Sequence, residues 1–241
     1  GDDAGELANL GMDWLFPIAL ATLAMGVVGA LGSGSLKTLV AWQVIISVGT
    51  LLAPISLGSE AGLSAALFYL LSTTWTVGGL FLVSELVANQ RGSAQDRIVT
   101  APRMQNRTFL SVLFLVGAVA AAGLPPLSGF FGKLLILQSV QSGTEMAWLW
   151  SVLLIGSFLT VIAYSRAGSI VFWRTVDGHL EKPDPLNGRI SVAAGALTAL
   201  AVAIVVLAEP ITRYTDETAA QLFNNDAYIN ILQTPVVGED D

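Results

Sequence analysis

The chain has 241 residues, 54% of them hydrophobic and only 12% charged, with a mean hydropathy of +0.68 and a formal net charge of −7. A soluble domain carries about 25% charged residues, so the charge is roughly halved, and it lies between long apolar runs, as in a multi-span integral membrane protein. The acidic balance argues against nucleic acid, the absence of cysteine excludes disulfides, zinc thiolates and Cys-ligated iron–sulfur clusters, and the lone His179, in a polar loop, makes no haem or metal site by itself.

The opening, "GDDAGELANLG", is acidic and has no signal-peptide pattern, and reads as the start of a segment of a longer polypeptide. Six apolar runs follow, over 12–31, 36–57, 63–87, 109–140, 146–173 and 190–211. Nothing alternates with period two over strand lengths, so a closed barrel is excluded. Helices satisfy their own backbone, and the expected fold is an all-α polytopic membrane bundle of six helices. The glycines of "GVVGALGSG" and "TVGGL" read as close-packing sites between helices.

Connecting loops alternate sides. One side receives Lys37, Arg91, Arg97, Arg103, Arg107, Arg174, Lys182 and Arg189, with Arg166 close by; the other receives Arg213 and most of the carboxylates. The excess of Lys and Arg places the first side in the cytoplasm and both ends of the chain outside. The polar stretch 87–107 reads as a surface linker with a short interfacial helix. Residues 1–213 form the transmembrane segment. Residues 214–241 form an outward acidic tail with a weak helical stripe (Leu222, Ile229, Leu232) suited to docking on a neighbouring protein.

In the second run Lys37 sits at the cytoplasmic mouth, where an orienting lysine and a proton-handling one look alike. In the third, Ser72, Thr73 and Thr74 form a hydroxyl cluster that either joins helices or holds water for a proton relay. Glu85, at the inner end of that run, is set to pair with an arginine of the following loop, or to handle protons. The fourth run contains "GLPPLSGFFGKLLIL". Pro125 and Pro126 lack amide donors, and Pro126 biases its predecessor away from the helix. With Gly123 and Gly129 beside them, the run is expected to unwind and resume near Leu127, giving a discontinuous helix of the kind ion-coupled transporters use. Lys133 follows two turns later. Charging an amine in hydrocarbon costs about 3 kcal/mol on insertion scales. Loss of water disfavours the ammonium, and a carboxylate or a file of water favours it, so such a group can load and release a proton. Arg166, in "AYSRAGSIVFW", is placed to snorkel inward.

These phrases together carry a family resemblance. "GLPPLSGFFGKLLIL" resembles the broken helix and buried lysine of proton-translocating antiporter-type membrane proteins. "SLKTLVAWQVIISVGTLL" is similar to that family's LKRLLAY-type span, with Lys-Thr and Trp here in place of Lys-Arg and Tyr. "FYLLSTTWTVGGLFLVSELVANQRG" resembles the next span, and "SRAGSIVFWR" looks most like the D-type members of the multisubunit Mrp (or Pha) sodium or potassium/proton antiporters. The resemblance covers nearly all of residues 12–213. It implies the second of two inverted repeats plus the closing helix, with Lys133 as the terminal relay lysine near the outer exit and Lys37 as the LKR lysine. Where many relatives have a histidine, at or near Ser72, this chain has none, so a relay there requires water held by Ser72, Thr73 or Thr74.

The resemblance further implies a bacterial inner-membrane location, no cofactor and no enzymatic reaction of its own. It also implies membrane lipid and the A, B, C, E, F and G types of Mrp antiporter protein as partners, with H+ and Na+ or K+ as the ions carried. The alternative is an antiporter-like proton-pumping subunit of respiratory complex I, and a third reading is an inactive scaffold half. Small membrane partners without flavin or iron–sulfur proteins mark the antiporter.

Overall fold

The computed structural model describes residues 10–140, 142–176 and 186–224, with side chains from residue 14 onward. His179, Lys182, Ile229, Leu232 and the acidic residues 2, 3 and 6 lie outside the described residues. Those described are helical, with two isolated bridges and no strand among them. In chain order the helices are α1 (Leu10–Leu31), α2 (Leu36–Ile55), α3 (Glu60–Gln90), α4 (Arg107–Ala122), α5 (Ser128–Gln138), α6 (Gly143–Gly168), α7 (Gly188–Val206) and α8 (Ala208–Phe223). A short turn over Gly92–Ala94 follows α3, and one π-type turn, Ser169–Trp173, extends α6.

Five segments are long and apolar enough to cross a membrane: Trp14–Leu31, Leu36–Ile55, Glu60–Gln90, Gly143–Trp173 and Gly188–Val206. The α4 helix is apolar but shorter, with 16 residues. The sixth predicted run ends earlier than read from composition. The helix stops at Val206, and a new one starts at Ala208 with Pro210 in its first turn, where the missing amide costs nothing. Large apolar side chains point outward along the bundle, among them Met25, Val112, Ile155, Phe158 and Val192. A hydrocarbon surround explains a surface that water would penalise. In contrast, α8 exposes Glu209, Arg213, Asp216 and Glu217.

The α3 helix is the hub, packed against α2, α4, α5, α7 and α8, while α6 lies on α1 and α4. Without a hydrophobic drive between helices in lipid, close approach through small residues does the joining. A Cβ on Gly49 would stand 2.5 Å from the Leu23 amide nitrogen and 2.6 Å from the Ala19 carbonyl, so α1 and α2 meet backbone to backbone. Gly29 receives the Trp42 ring, and Gly79 faces Leu197 and Thr198 of α7. The polar end of α8 docks on α3 through Ser64, which donates to Thr215 Oγ1 at 3.0 Å and also bonds Asp216.

The connection after α3 is folded tightly rather than lying loosely on the surface. Arg91 is 1% exposed. Its guanidinium donates to the carbonyls of Gln95, Arg97 and Val99 and so winds the segment around itself. Burial draws its pKa below the ordinary arginine value while Asp96 acts the other way, and a guanidinium stays charged at any accessible pH. The wound segment lays Asp96 over the start of α2, where its carbonyl accepts from Leu36 N at 2.9 Å and its carboxylate from Lys37 N at 3.0 Å.

Gly49→Val forces two backbones apart and is expected to cost about 1–3 kcal/mol, seen as a lower thermal unfolding midpoint in detergent. Gly195→Ala, with nothing near the added carbon, leaves that midpoint unchanged or raises it. Arg91→Ala strands three carbonyls and opens the 92–106 segment to trypsin at Arg97 and Arg103, measured by limited digestion against the parent protein.

Candidate functional site

The α4 helix ends at Ala122, with Gly123 in the left-handed conformation (φ 77°) as its cap. The last four carbonyls of a helix have no partner within it, and here they lie inside an apolar bundle. The Gly123 and Leu124 amides cover Val119 and Ala120, at 3.0–3.1 Å. Ala121 and Ala122 remain. The Lys133 ammonium donates to the Ala122 carbonyl at 2.9 Å and to the Ala121 carbonyl at 3.5 Å, and Gln43 Nε2 also donates to Ala121 at 3.4 Å. The third Lys133 contact is Ser157 Oγ of α6 at 2.9 Å. An ammonium has three protons, and three oxygens surround it.

Two glycines make this geometry possible. A Cβ on Gly129 would overlap the Ala120 carbonyl oxygen, so only glycine lets α5 pass the end of α4. A Cβ on Gly123 would strike the Lys133 side chain at 2.6 Å. Pro125 and Pro126 face outward from the bundle. Having no N–H, they leave no amide donor to satisfy there. Lys133 itself is 6% exposed. Burying a lone charge costs several kcal/mol; three oxygens and the negative end of the α4 dipole offset it.

Polar side chains continue away from Lys133. Ser72 Oγ donates to Ser128 Oγ at 2.9 Å, joining α3 to the first residue of α5. Thr73 Oγ1 and Ser47 Oγ lie 2.6 Å apart, and the Tyr69 hydroxyl reaches Ser47 at 3.5 Å. These bonds, with Lys37–Glu85 farther on, set α2 and α3 antiparallel. Thr74 is exposed and donates to its own helix at Leu70, so the structure does not bring it to the cluster. Thr76, not picked out from sequence, is buried on the Ser72 side.

Glu85 pairs with Lys37 at 2.7 Å rather than with an arginine of the next loop, where Arg91 and Arg97 donate to loop carbonyls instead. Both side chains are nearly half exposed, so the bond contributes at most ~1 kcal/mol to stability. About 20 Å of α3 axis separates Glu85 from Ser72. Arg166 donates to the Ser33 carbonyl at 2.7 Å, at the turn between α1 and α2. Among the described residues no group of His, Asp and Glu side chains is placed to hold a metal ion.

The profile of one family, described as "NADH:quinone oxidoreductase/Mrp antiporter, TM", matches residues 7–163. A Rhizobium meliloti protein, described as a probable D-type subunit of a K(+)/H(+) antiporter, is 32% identical over 251 aligned positions, covering 92% of this chain and 46% of that protein. An N-type subunit of the NADH-quinone oxidoreductase of Salinibacter ruber is 33% identical over 198 positions, covering 79% and 39%. Among solved structures, a chain of the Mrp complex from Dietzia sp. DQ12-45-1b superposes with a TM-score of 0.78 at 21% identity, covering 92% of this chain and 49% of that one. At that identity the likeness is one of fold. The chain spans less than half the length of both curated relatives.

Proposed function

This chain belongs to the NADH:quinone oxidoreductase/Mrp antiporter transmembrane family, and we propose that it serves as the D-type subunit of a multisubunit antiporter exchanging protons for Na+ or K+. The observation that carries this reading is the Lys133 ammonium, buried against the carbonyl end of α4 with an acceptor for each of its protons. An ionisable group so placed costs more to bury than leucine or methionine, but it bonds the open carbonyls and can take and give a proton.

In this proposal α4 and α5 together make the fourth of six spans, discontinuous at 123–127. Protons enter at the half-exposed Lys37–Glu85 pair, pass the hydroxyls of Thr73 and Ser72 on hydrogen-bonded water, and reach Lys133. The basic loops face the cytoplasm of a bacterial cell. Residues 214–241 form an outward tail whose first turns, in α8, rest on α3. The other subunits of the complex supply the remaining path for the cation.

A second reading is supported by the similarity to N-type subunits of NADH-quinone oxidoreductase, the Salinibacter ruber protein among them. There the same residues would move protons in a redox-driven NADH:quinone oxidoreductase. Copurification decides between them: small membrane subunits alone support the antiporter, and flavin or iron–sulfur partners overturn it.

In vesicles bearing the complete complex, Lys133→Ala at normal assembly is expected to lower cation-driven proton movement by about 100-fold or more. Unchanged exchange would remove Lys133 from the mechanism. Ser72→Ala, which deletes the bond to Ser128, is expected to slow exchange about two- to fivefold. Thr74→Val should leave the rate unaltered, since its hydroxyl faces away from the path.

A further inference from the structure

Four buried side-chain atoms have no hydrogen-bond partner among the described residues: Gln43 Oε1, Gln90 Nε2, Tyr164 OH and Ser191 Oγ. Gln90 and Ser191 stand at helix ends, in the last turn of α3 and the first of α7. Gln43 and Tyr164 are different. Both are at most 3% exposed; Gln43 shares the Ala121 carbonyl with Lys133, and Tyr164 lines a cavity together with Ala122, whose carbonyl Lys133 also bonds.

The Gln43 side chain is anchored by its amide nitrogen on the Ala121 carbonyl, the oxygen that Lys133 also reaches. With the nitrogen so engaged, the amide oxygen is left presenting its lone pairs inside the bundle. Tyr164 lies two turns along α6 from Ser157, the hydroxyl partner of Lys133, with buried Thr160 between them on the same face. Thr160 does not continue the line, because its hydroxyl is committed to the Gly156 carbonyl. The Tyr164 ring is held against Phe114. Tyr69 packs on Gly132, beside Lys133, and bonds Ser47 of the α2–α3 hydroxyl set.

Natural proteins rarely leave a buried phenol or amide oxygen unpaired, because leaving it so is costly. Ordered water resolves such cases where several polar groups converge. We propose that Gln43 and Tyr164 hold the water through which protons pass between the Ser47–Tyr69–Thr73 hydroxyls and Lys133. This rests on the reading of Lys133 as the proton-carrying amine. The transfer moves one proton: an O–H bond of the hydrated proton breaks, an N–H bond forms on the neutral amine, and the water stays bound to the two side chains. Gln43 and Tyr164 are positioning residues, acting through the water they orient.

The test uses the complete complex in vesicles, with Tyr164→Phe and Gln43→Met, which keep volume and delete the polar atoms. Each is expected to slow cation-driven proton movement about tenfold, the worth of one hydrogen bond of ordinary strength, and to enlarge the rate difference between H2O and D2O. A bare structural hydroxyl predicts the opposite for Tyr164→Phe: a raised melting temperature with rate and isotope effect unchanged. That result, together with an unaffected Gln43→Met, overturns the proposal. Should Tyr164→Phe fail to assemble, Gln43→Met decides alone by the same two readouts. Lys133→Ala in the same vesicles separates the levels. If it transports normally, the reading of Lys133 falls; if it is silent while the other two variants run at full speed with the parent isotope effect, only the water-holding role is lost.

Discussion

A helix that stops inside an apolar bundle must find donors for its final carbonyls, and this requirement organises the centre of the molecule. The end of α4 meets it in two ways. Local amides cover Val119 and Ala120 through the left-handed turn at Gly123, and side chains from α2 and α5 cover Ala121 and Ala122. The break and the lysine are therefore one solution rather than two oddities. Without the break no carbonyls would be free to receive an ammonium, and without the ammonium the break would leave the Ala122 oxygen bare in a medium that cannot hydrate it.

From that centre the polar groups follow α3. It carries Tyr69, Ser72, Thr73 and Glu85 toward α2 and α5, and it offers Ser64 to α8 at its other end. Large apolar side chains cover most of the outer face of the long helices, and their contacts close at glycines, so the buried polar groups form a narrow interior strip. The segment wound around Arg91 serves the same confinement. It brings a carboxylate to the first turn of α2, where unpaired amides need an acceptor, and holds it there by bonds that do not depend on lipid or solvent.

Much of this was legible from residue order alone. Apolar run length located the long helices, and Pro-Pro between glycines located the break, because missing amides and left-handed turns are local properties. What stayed hidden depends on neighbours distant in sequence. The partner of Glu85 lies 48 positions away, at Lys37, and no local pattern distinguishes it from the nearby arginines. Thr73 and Thr74 differ by about 100° of helix rotation, enough to put one on the strip and the other outside it, and a nearly uniform apolar sequence supplies no contrast to tell them apart. Arg91 reads as an ordinary loop cation and proves buried. Gln43 did leave a signal, as the one side-chain amide in an otherwise apolar run, and its weight becomes apparent only beside Ala121. The turn at Leu207 lies inside the apolar run 190–211, whose length alone does not show it; Pro210 just past it is its local signal.

Ser157 has a consequence of its own. A serine hydroxyl is a rotor that donates or accepts according to its torsion. While the Lys133 nitrogen carries three protons, Ser157 accepts one of them. When the nitrogen carries two, those two suffice for the Ala121 and Ala122 carbonyls, and the serine proton turns to face the exposed lone pair. On the proposed reading of Lys133 both charge states are fully bonded: once a proton has left the nitrogen for water, rotation about the Ser157 C–O bond restores the third hydrogen bond.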